Sequence, residues 1–200
     1  MLNLIIDHCD KTISIKIVYF GPACSGKTAS IKSLFSHFGK REKIESIEST
    51  VHRTLFFDYG TIEFQNTEWK LKTHIYTTTG QDFYLITRPI TLRAVDGIIF
   101  VVDCQESVFD RNVLAWEELS SYFRENIKNI PLLIAFNKQD LPNKFSTDRF
   151  LEKIGYRNFE NIEIRKTIAI NGEGIFDCFE DILNRVISKY SQAKIKPSGK

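Results

Sequence analysis

The stretch ISIKIVYFGPACSGKTASIKSLF, residues 13–35, decides the fold. Its opening alternates, so that Ile13, Ile15, Ile17 and Tyr19 fall on one side of an extended chain, as in a β-strand. Its end changes period: Ile31, Leu34, Phe35 and, just beyond, Phe38 recur at helical spacing up to Gly39, a helix stop. Between them lies Gly21-Pro22-Ala23-Cys24-Ser25-Gly26-Lys27-Thr28, which satisfies G-x-x-x-x-G-K-[ST]. Glycines let the backbone curl until successive N–H groups converge on phosphate oxygens, and the following helix adds its positive N-terminal end. Lys27 then reaches the β- and γ-phosphates, while the Thr28 hydroxyl suits Mg²⁺. A strand before the loop and a helix after it are the context this motif needs. Gly21, Ser25, Gly26, Lys27, Thr28 and Ala29 are therefore expected to line a phosphate site.

Downstream, REKIESIESTVHR is polar and unpatterned, whereas TLFFDYGTIEF and WKLKTHIYT, separated by QNTE, predict an antiparallel hairpin with at least one strand near a sheet edge. Trp69, Leu71 and Ile75 share one face and Lys70, Lys72 and His74 the other, so His74 is expected to face solvent rather than a metal. GIIFVVD (97–103) and PLLIAFN (131–137) are apolar without alternation, as strands covered on both faces are. A stripe of Val108, Ala115, Leu119 and Tyr122 predicts a helix between them. A strand is expected over 162–170. Ile175, Phe179, Ile182, Leu183, Val186 and Tyr190 predict a closing amphipathic helix. Strands alternating with helices give an α/β class: a mostly parallel, six-stranded sheet with helices on both faces and one antiparallel edge hairpin.

The second buried run ends in NKQD, Asn137–Asp140. A carboxylate at the C-terminal end of such a strand can accept two hydrogen bonds from the guanine N1–H and exocyclic amine, a donor pair that adenine lacks. The ligand expected from this pattern is a guanine nucleotide.

With 200 residues, 42% of them hydrophobic and 26% charged, the chain suits one domain over 1–200, with a short flexible basic tail at about 192–200. Cys9, Cys24, Cys104 and Cys178 show no C-x-x-C spacing and read as reduced, mostly buried thiols of a cytoplasmic protein. The start MLNLIIDHCDK lacks a basic n-region, no apolar run is long enough to span a bilayer, and neither Leu2 nor the terminal IKPSGK fits a lipid anchor. A net charge of +2 with mixed signs gives no footprint of nucleic-acid binding.

In order along the chain, KIVYFGPACSGKT, RTLFFDYG, TGQDFY, DGIIFVVD, FNKQDLP and GEGIF resemble the Ras-like small GTPases, and more closely their MglA group of bacterial and archaeal polarity switches. The resemblance covers nearly the whole length and implies a single-domain P-loop GTPase fold. It implies that Asn137, Lys138 and Asp140 hold the base, with the Ala169 N–H meeting the guanine oxygen; Ile170 stands where most Ras-like proteins have Lys. It implies that Thr54 contacts Mg²⁺ and the γ-phosphate beside Thr28, and that Gly80 belongs to the phosphate site. Arg53 resembles the intrinsic arginine of the group, and Gln81 the residue that orients the attacking water. Together with Lys27 these form the expected catalytic set.

Two departures stand out: Thr77 occupies the place of the usual Asp before that glutamine, as in the MglA group, and Thr79 replaces a frequent Pro. The resemblance implies a GTP-dependent switch with slow Mg²⁺-dependent hydrolysis, two nucleotide-sensitive segments (46–58 and 77–93), protein effectors and a Roadblock/LC7-type homodimeric regulator. The rival readings are a guanine-nucleotide-binding scaffold that does not hydrolyse, because of Thr77, and an adenine-nucleotide phosphotransferase, against which NKQD argues.

Overall fold

A computed structural model describes residues 5–39, 45–48, 54–66, 68–78, 88–159 and 162–195. Its chain runs β1 (Ile5–Asp7), β2 (Thr12–Phe20), α1 (Lys27–His37), β3 (Glu45–Glu48), β4 (Thr54–Gln65), β5 (Lys70–Thr77), α2 (Arg88–Leu92), β6 (Gly97–Asp103), α3 (Phe109–Phe123), β7 (Leu132–Asn137), α4 (Thr147–Lys153), β8 (Ile162–Lys166) and α5 (Ile175–Ile195). The strands form one sheet in the order β3-β4-β5-β2-β6-β7-β8, with β1 added to β2. Pairing is parallel from β5 through β2, β6 and β7 to β8. It is antiparallel between β3 and β4, β4 and β5, and β1 and β2.

The mostly parallel α/β architecture and the hairpin agree with the sequence, but among the described residues the sheet has eight strands rather than six. The two additional strands have three and four residues. β3 falls in the segment read as unpatterned, because its pairing with β4 is a backbone matter that side-chain periodicity does not register. The last strand is also shorter than expected: β8 stops at Lys166, and Ile168 makes only an isolated bridge to Glu173.

Alternation along the central strands divides the interior in two. Ile15, Ile17 and Tyr19 of β2, Ile99 and Val101 of β6 and Leu133 and Ala135 of β7 pack against α1 and α5. Val18 and Phe20, Ile98, Phe100 and Val102, and Leu132, Ile134 and Phe136 pack against α2, α3 and α4. Every residue of β6 and β7 is buried, which explains why neither alternates in sequence.

The predicted stripe on α3 is half borne out: Ala115 and Leu119 are buried. Val108 lies in a short 3₁₀ turn before the helix, and Tyr122 is exposed, while Phe109, Asn112, Val113, Trp116 and Leu119 carry the buried face alongside Ala115. α5 runs to Ile195, so residues 192–195 of the expected tail are helical. His74 is half-buried, with its Nδ1 2.9 Å from the Tyr59 hydroxyl, and burial lowers its pKa. The described helices include none long and apolar enough to cross a membrane.

Candidate functional site

The P-loop connects β2 to α1. α1 begins at Lys27 behind Gly26, which sits in the left-handed region at φ 106 and offers no side-chain cap. First-turn N–H groups of any α-helix lack partners within the helix, and with glycine at the cap they are open to an anion that the helix dipole also favours. Gly21 at φ 147 and Cys24 at φ 61 supply the rest of the curl. There is no room for larger residues at the two ends: a Cβ on Gly21 would lie 2.3 Å from the Val101 carbonyl oxygen, and one on Gly26 2.1 Å from Asn137 Nδ2.

Inside the loop, the Lys27 ammonium donates to the carbonyls of Gly21 (2.8 Å) and Pro22 (2.7 Å). Burial pushes its pKa down to about 7; the field of Arg88 adds to that shift, and the charges of Cys24, Asp58 and Glu118 oppose it. An ammonium whose charge burial penalises gains from an anion placed beside it. Ser25 is fully buried, and its Oγ has no hydrogen-bond partner among the described residues. Open helix N–H groups, a buried ammonium and an orphaned hydroxyl within one loop fit a phosphate group. Ala29 follows in the first turn of α1, partly buried against the core.

Asn137, the last residue of β7, joins this loop to the segment around Thr167 and Ala169. Its Nδ2 donates to the Ser25 carbonyl at 2.8 Å, and its Oδ1 accepts the Ala169 N–H at 2.9 Å and the Thr167 hydroxyl at 3.2 Å. The Ala169 N–H expected at the guanine oxygen is thus donated to Asn137. Lys138, at φ 64, places Nζ 2.6 Å from Asp103 Oδ2. Asp103 is itself fixed by fully buried Asn112 of α3, which accepts the Asp103 N–H at 2.9 Å and donates to its carbonyl at 2.8 Å. Asp140 is exposed just beyond, and its carboxylate has no hydrogen bond among the described residues. Ile170 is 81% exposed, an isolated apolar surface next to Ala169.

The structure thus brings together Gly21, Ser25, Gly26, Lys27, Thr28, Asn137, Lys138 and Ala169. Arg53, Gly80 and Gln81 lie outside the described residues. Thr54 opens β4 opposite Glu48, and its side chain is likewise outside the description.

One residue the sequence reading passed over is Asp58, in the middle of TLFFDYG. It is fully buried on the face of β4 that meets α1. Its Oδ2 accepts the Thr28 hydroxyl at 2.6 Å and the Thr77 hydroxyl at 2.9 Å, and its N–H donates to Thr77 Oγ1 at 2.8 Å. A lone acid inside an apolar strand run was the available signal. A second overlooked feature is Arg88, buried at the start of α2, ion-paired with Glu118 of α3 and 5.8 Å above the Phe20 ring. No three His, Cys, Asp or Glu side chains among the described residues gather as a metal cage. Mg²⁺ does not need one, since it is held through one or two protein oxygens, waters and substrate phosphates.

A family model of the ADP-ribosylation factor family matches residues 2–186 of the chain. The mutual gliding-motility protein MglA of Myxococcus xanthus (strain DK1622) is 30% identical over 190 residues, which span 92% of this chain and 96% of that protein.

Proposed function

This chain belongs to the ADP-ribosylation factor family and is a GTPase of the Arf/Ras-like kind, and on that premise we propose that it is a molecular switch with slow intrinsic hydrolysis that a protein partner accelerates. The observation that carries the nucleotide reading is the Asn137 side chain, which joins the phosphate loop to the base-reading loop through the Ser25 carbonyl and the Ala169 N–H. In this reading Asp140 accepts the two guanine donors, and Lys138 lies along the base from its anchor on Asp103. Lys27 exchanges its two loop carbonyls for β- and γ-phosphate oxygens. Thr28 and Thr54 would hold Mg²⁺, which when bound neutralises charge on those oxygens.

Phosphoryl transfer needs a positioned water and a cation on the spreading charge more than it needs a strong base. Gln81 takes the first role and Arg53 the second. Arg53 lies in a polar stretch of sequence with few apolar side chains, and in this reading its contribution is latent until a partner engages it. The partner we infer is a Roadblock/LC7-type homodimer that supplies no arginine of its own, and the GTP-bound form presents a surface to effectors.

The test is single-turnover phosphate release from Mg²⁺·GTP by wild type, Arg53→Ala and Gln81→Leu, each with and without the partner. An arginine finger contributes about 10³- to 10⁵-fold. The wild type should be slow alone and fast with partner, and both variants should bind partner yet lose most of the stimulation. Full stimulation of Arg53→Ala would show that the cation comes from elsewhere.

A further inference from the structure

We propose that Asp103 is a positioning residue for base recognition: its carboxylate, at the end of β6, fixes the Lys138 side chain in place before a nucleotide arrives. This rests on the nucleotide reading above, in which Lys138 lies along the base. Asp103 itself touches no ligand and acts only through Lys138.

The backbone brings the two residues together. β6 and β7 pair in parallel and end side by side, with Asp103 opposite Asn137. The next residue, Lys138, takes a left-handed backbone at φ 64, a conformation that is costly for a side chain with a Cβ. The turn it begins is closed by the Leu141 N–H, which donates to the Lys138 carbonyl at 3.1 Å. At the far end of the side chain, Nζ lies 2.6 Å from Asp103 Oδ2.

The acid has little freedom of its own. Its Oδ1 accepts the Gln105 N–H at 3.1 Å, and Asn112 reaches across from α3 to bind both its N–H (2.9 Å) and its carbonyl (2.8 Å). Asn112 is fully buried and also donates to the Val108 carbonyl at 3.0 Å, so its amide is fixed in turn. Two further bonds tie the same loops: the Glu106 N–H donates to the Asn143 carbonyl at 2.9 Å, and the Phe145 N–H to the Cys104 carbonyl at 3.0 Å. The Asp103 side chain is 5% exposed and that of Lys138 25%. A carboxylate buried to that extent needs an opposite charge beside it, whereas a lysine a quarter exposed can be hydrated. Asp103 is therefore the fixed member of the pair, and Lys138 the member that is held.

Holding it matters because an untethered lysine has many rotamers to lose when a ligand docks along its stem. Ordering one such side chain at the moment of binding weakens affinity about 2- to 10-fold. With Asp103 in place, that ordering is complete in the folded protein before the ligand binds.

The competing account makes the ion pair a tie that only keeps the two loops folded. The two accounts differ in which part of a nucleotide is affected. Affinities of GDP and of pyrophosphate for the full chain are measured by competition against a fluorescent GDP analogue, for wild type, Asp103→Asn, Lys138→Met and the double variant. Asp103→Asn keeps an acceptor for the Gln105 N–H and removes the charge. We expect it to weaken GDP about 2- to 10-fold and to leave pyrophosphate, which has no base, as in the wild type. In the Lys138→Met background Asp103→Asn should add nothing, because no ammonium remains to be placed. Unchanged GDP affinity in Asp103→Asn overturns the proposal. An equal loss for pyrophosphate does so too, since it marks a loosened loop, and so does the same further loss in the Lys138→Met background. These results leave the nucleotide reading standing, whereas a wild type that binds ADP as tightly as GDP overturns both. Should Asp103→Asn alone not fold, the double variant decides: GDP affinity equal to that of Lys138→Met supports the proposal, and weaker binding overturns it.

Discussion

At the scale of single residues, Asp140 and Asp58 are carboxylates in opposite settings, one exposed and one fully buried. Asp140 is exposed, so replacing it leaves the interior untouched and, on the function proposed, alters only what the base would meet. Asp140→Asn exchanges one acceptor oxygen for an amide donor, which opposes the guanine N1–H or amine and suits the C2 carbonyl of xanthine. We predict that GTP affinity falls by at least tenfold and that xanthosine triphosphate gains, measured by competition against a fluorescent nucleotide. Equal GTP affinity in the variant would remove Asp140 from the base site. The position of NKQD at the end of a buried strand was legible, because the apolar run before it has no polar interruption. Asp58 was not, because its neighbours Thr28 and Thr77 are 30 and 19 positions away and only the register of the hairpin and its approach to α1 bring them together.

At the scale of elements, the hairpin and α1 meet at Gly60, where a Cβ would lie 2.3 and 2.7 Å from atoms of the Phe35 ring. That ring is fully buried in the core between α1 and α5 and has little room to retreat. Overpacking of this kind costs about 1–3 kcal/mol. Gly60→Ala should lower the denaturation midpoint accordingly, and a variant as stable as wild type would mean that α1 lifts freely from β4. The same contact shows what the sequence could disclose. Helix α1 announced its buried face through Ile31, Leu34 and Phe35, because helical packing is written in side-chain period. Strands β1 and β3 were silent, since three or four residues paired through the backbone leave no period to read. On α3 the apolar stripe caught Ala115 and Leu119 but not the width of the buried face, where Phe109, Val113 and Trp116 extend it and the polar Asn112 is buried to serve Asp103.

At the scale of the whole molecule, the sheet separates two cores, and each encloses one cysteine: Cys178 on the α1–α5 side, Cys104 on the other. Burial pushes both thiols up to about 12, leaving almost no thiolate at neutral pH. Cys9 and Cys24 are exposed, so the expectation of mostly buried thiols holds for two of the four. An aromatic disulfide reagent at pH 8 should therefore titrate two thiols quickly and the other two only on unfolding. GDP should slow one of the fast pair, because Cys24 sits on the phosphate loop. Four fast thiols would contradict the packing described for both cores. The Asn137 bridge has a consequence on this scale as well. One side chain ties the Ser25 carbonyl of the phosphate loop to the Ala169 N–H, so on the function proposed the two halves of a nucleotide would meet a single jaw. Offered separately, guanosine and pyrophosphate should each bind weakly, yet each should improve the affinity of the other by the same factor. In Asn137→Ala that mutual assistance should vanish, leaving two independent weak sites where there had been one grip.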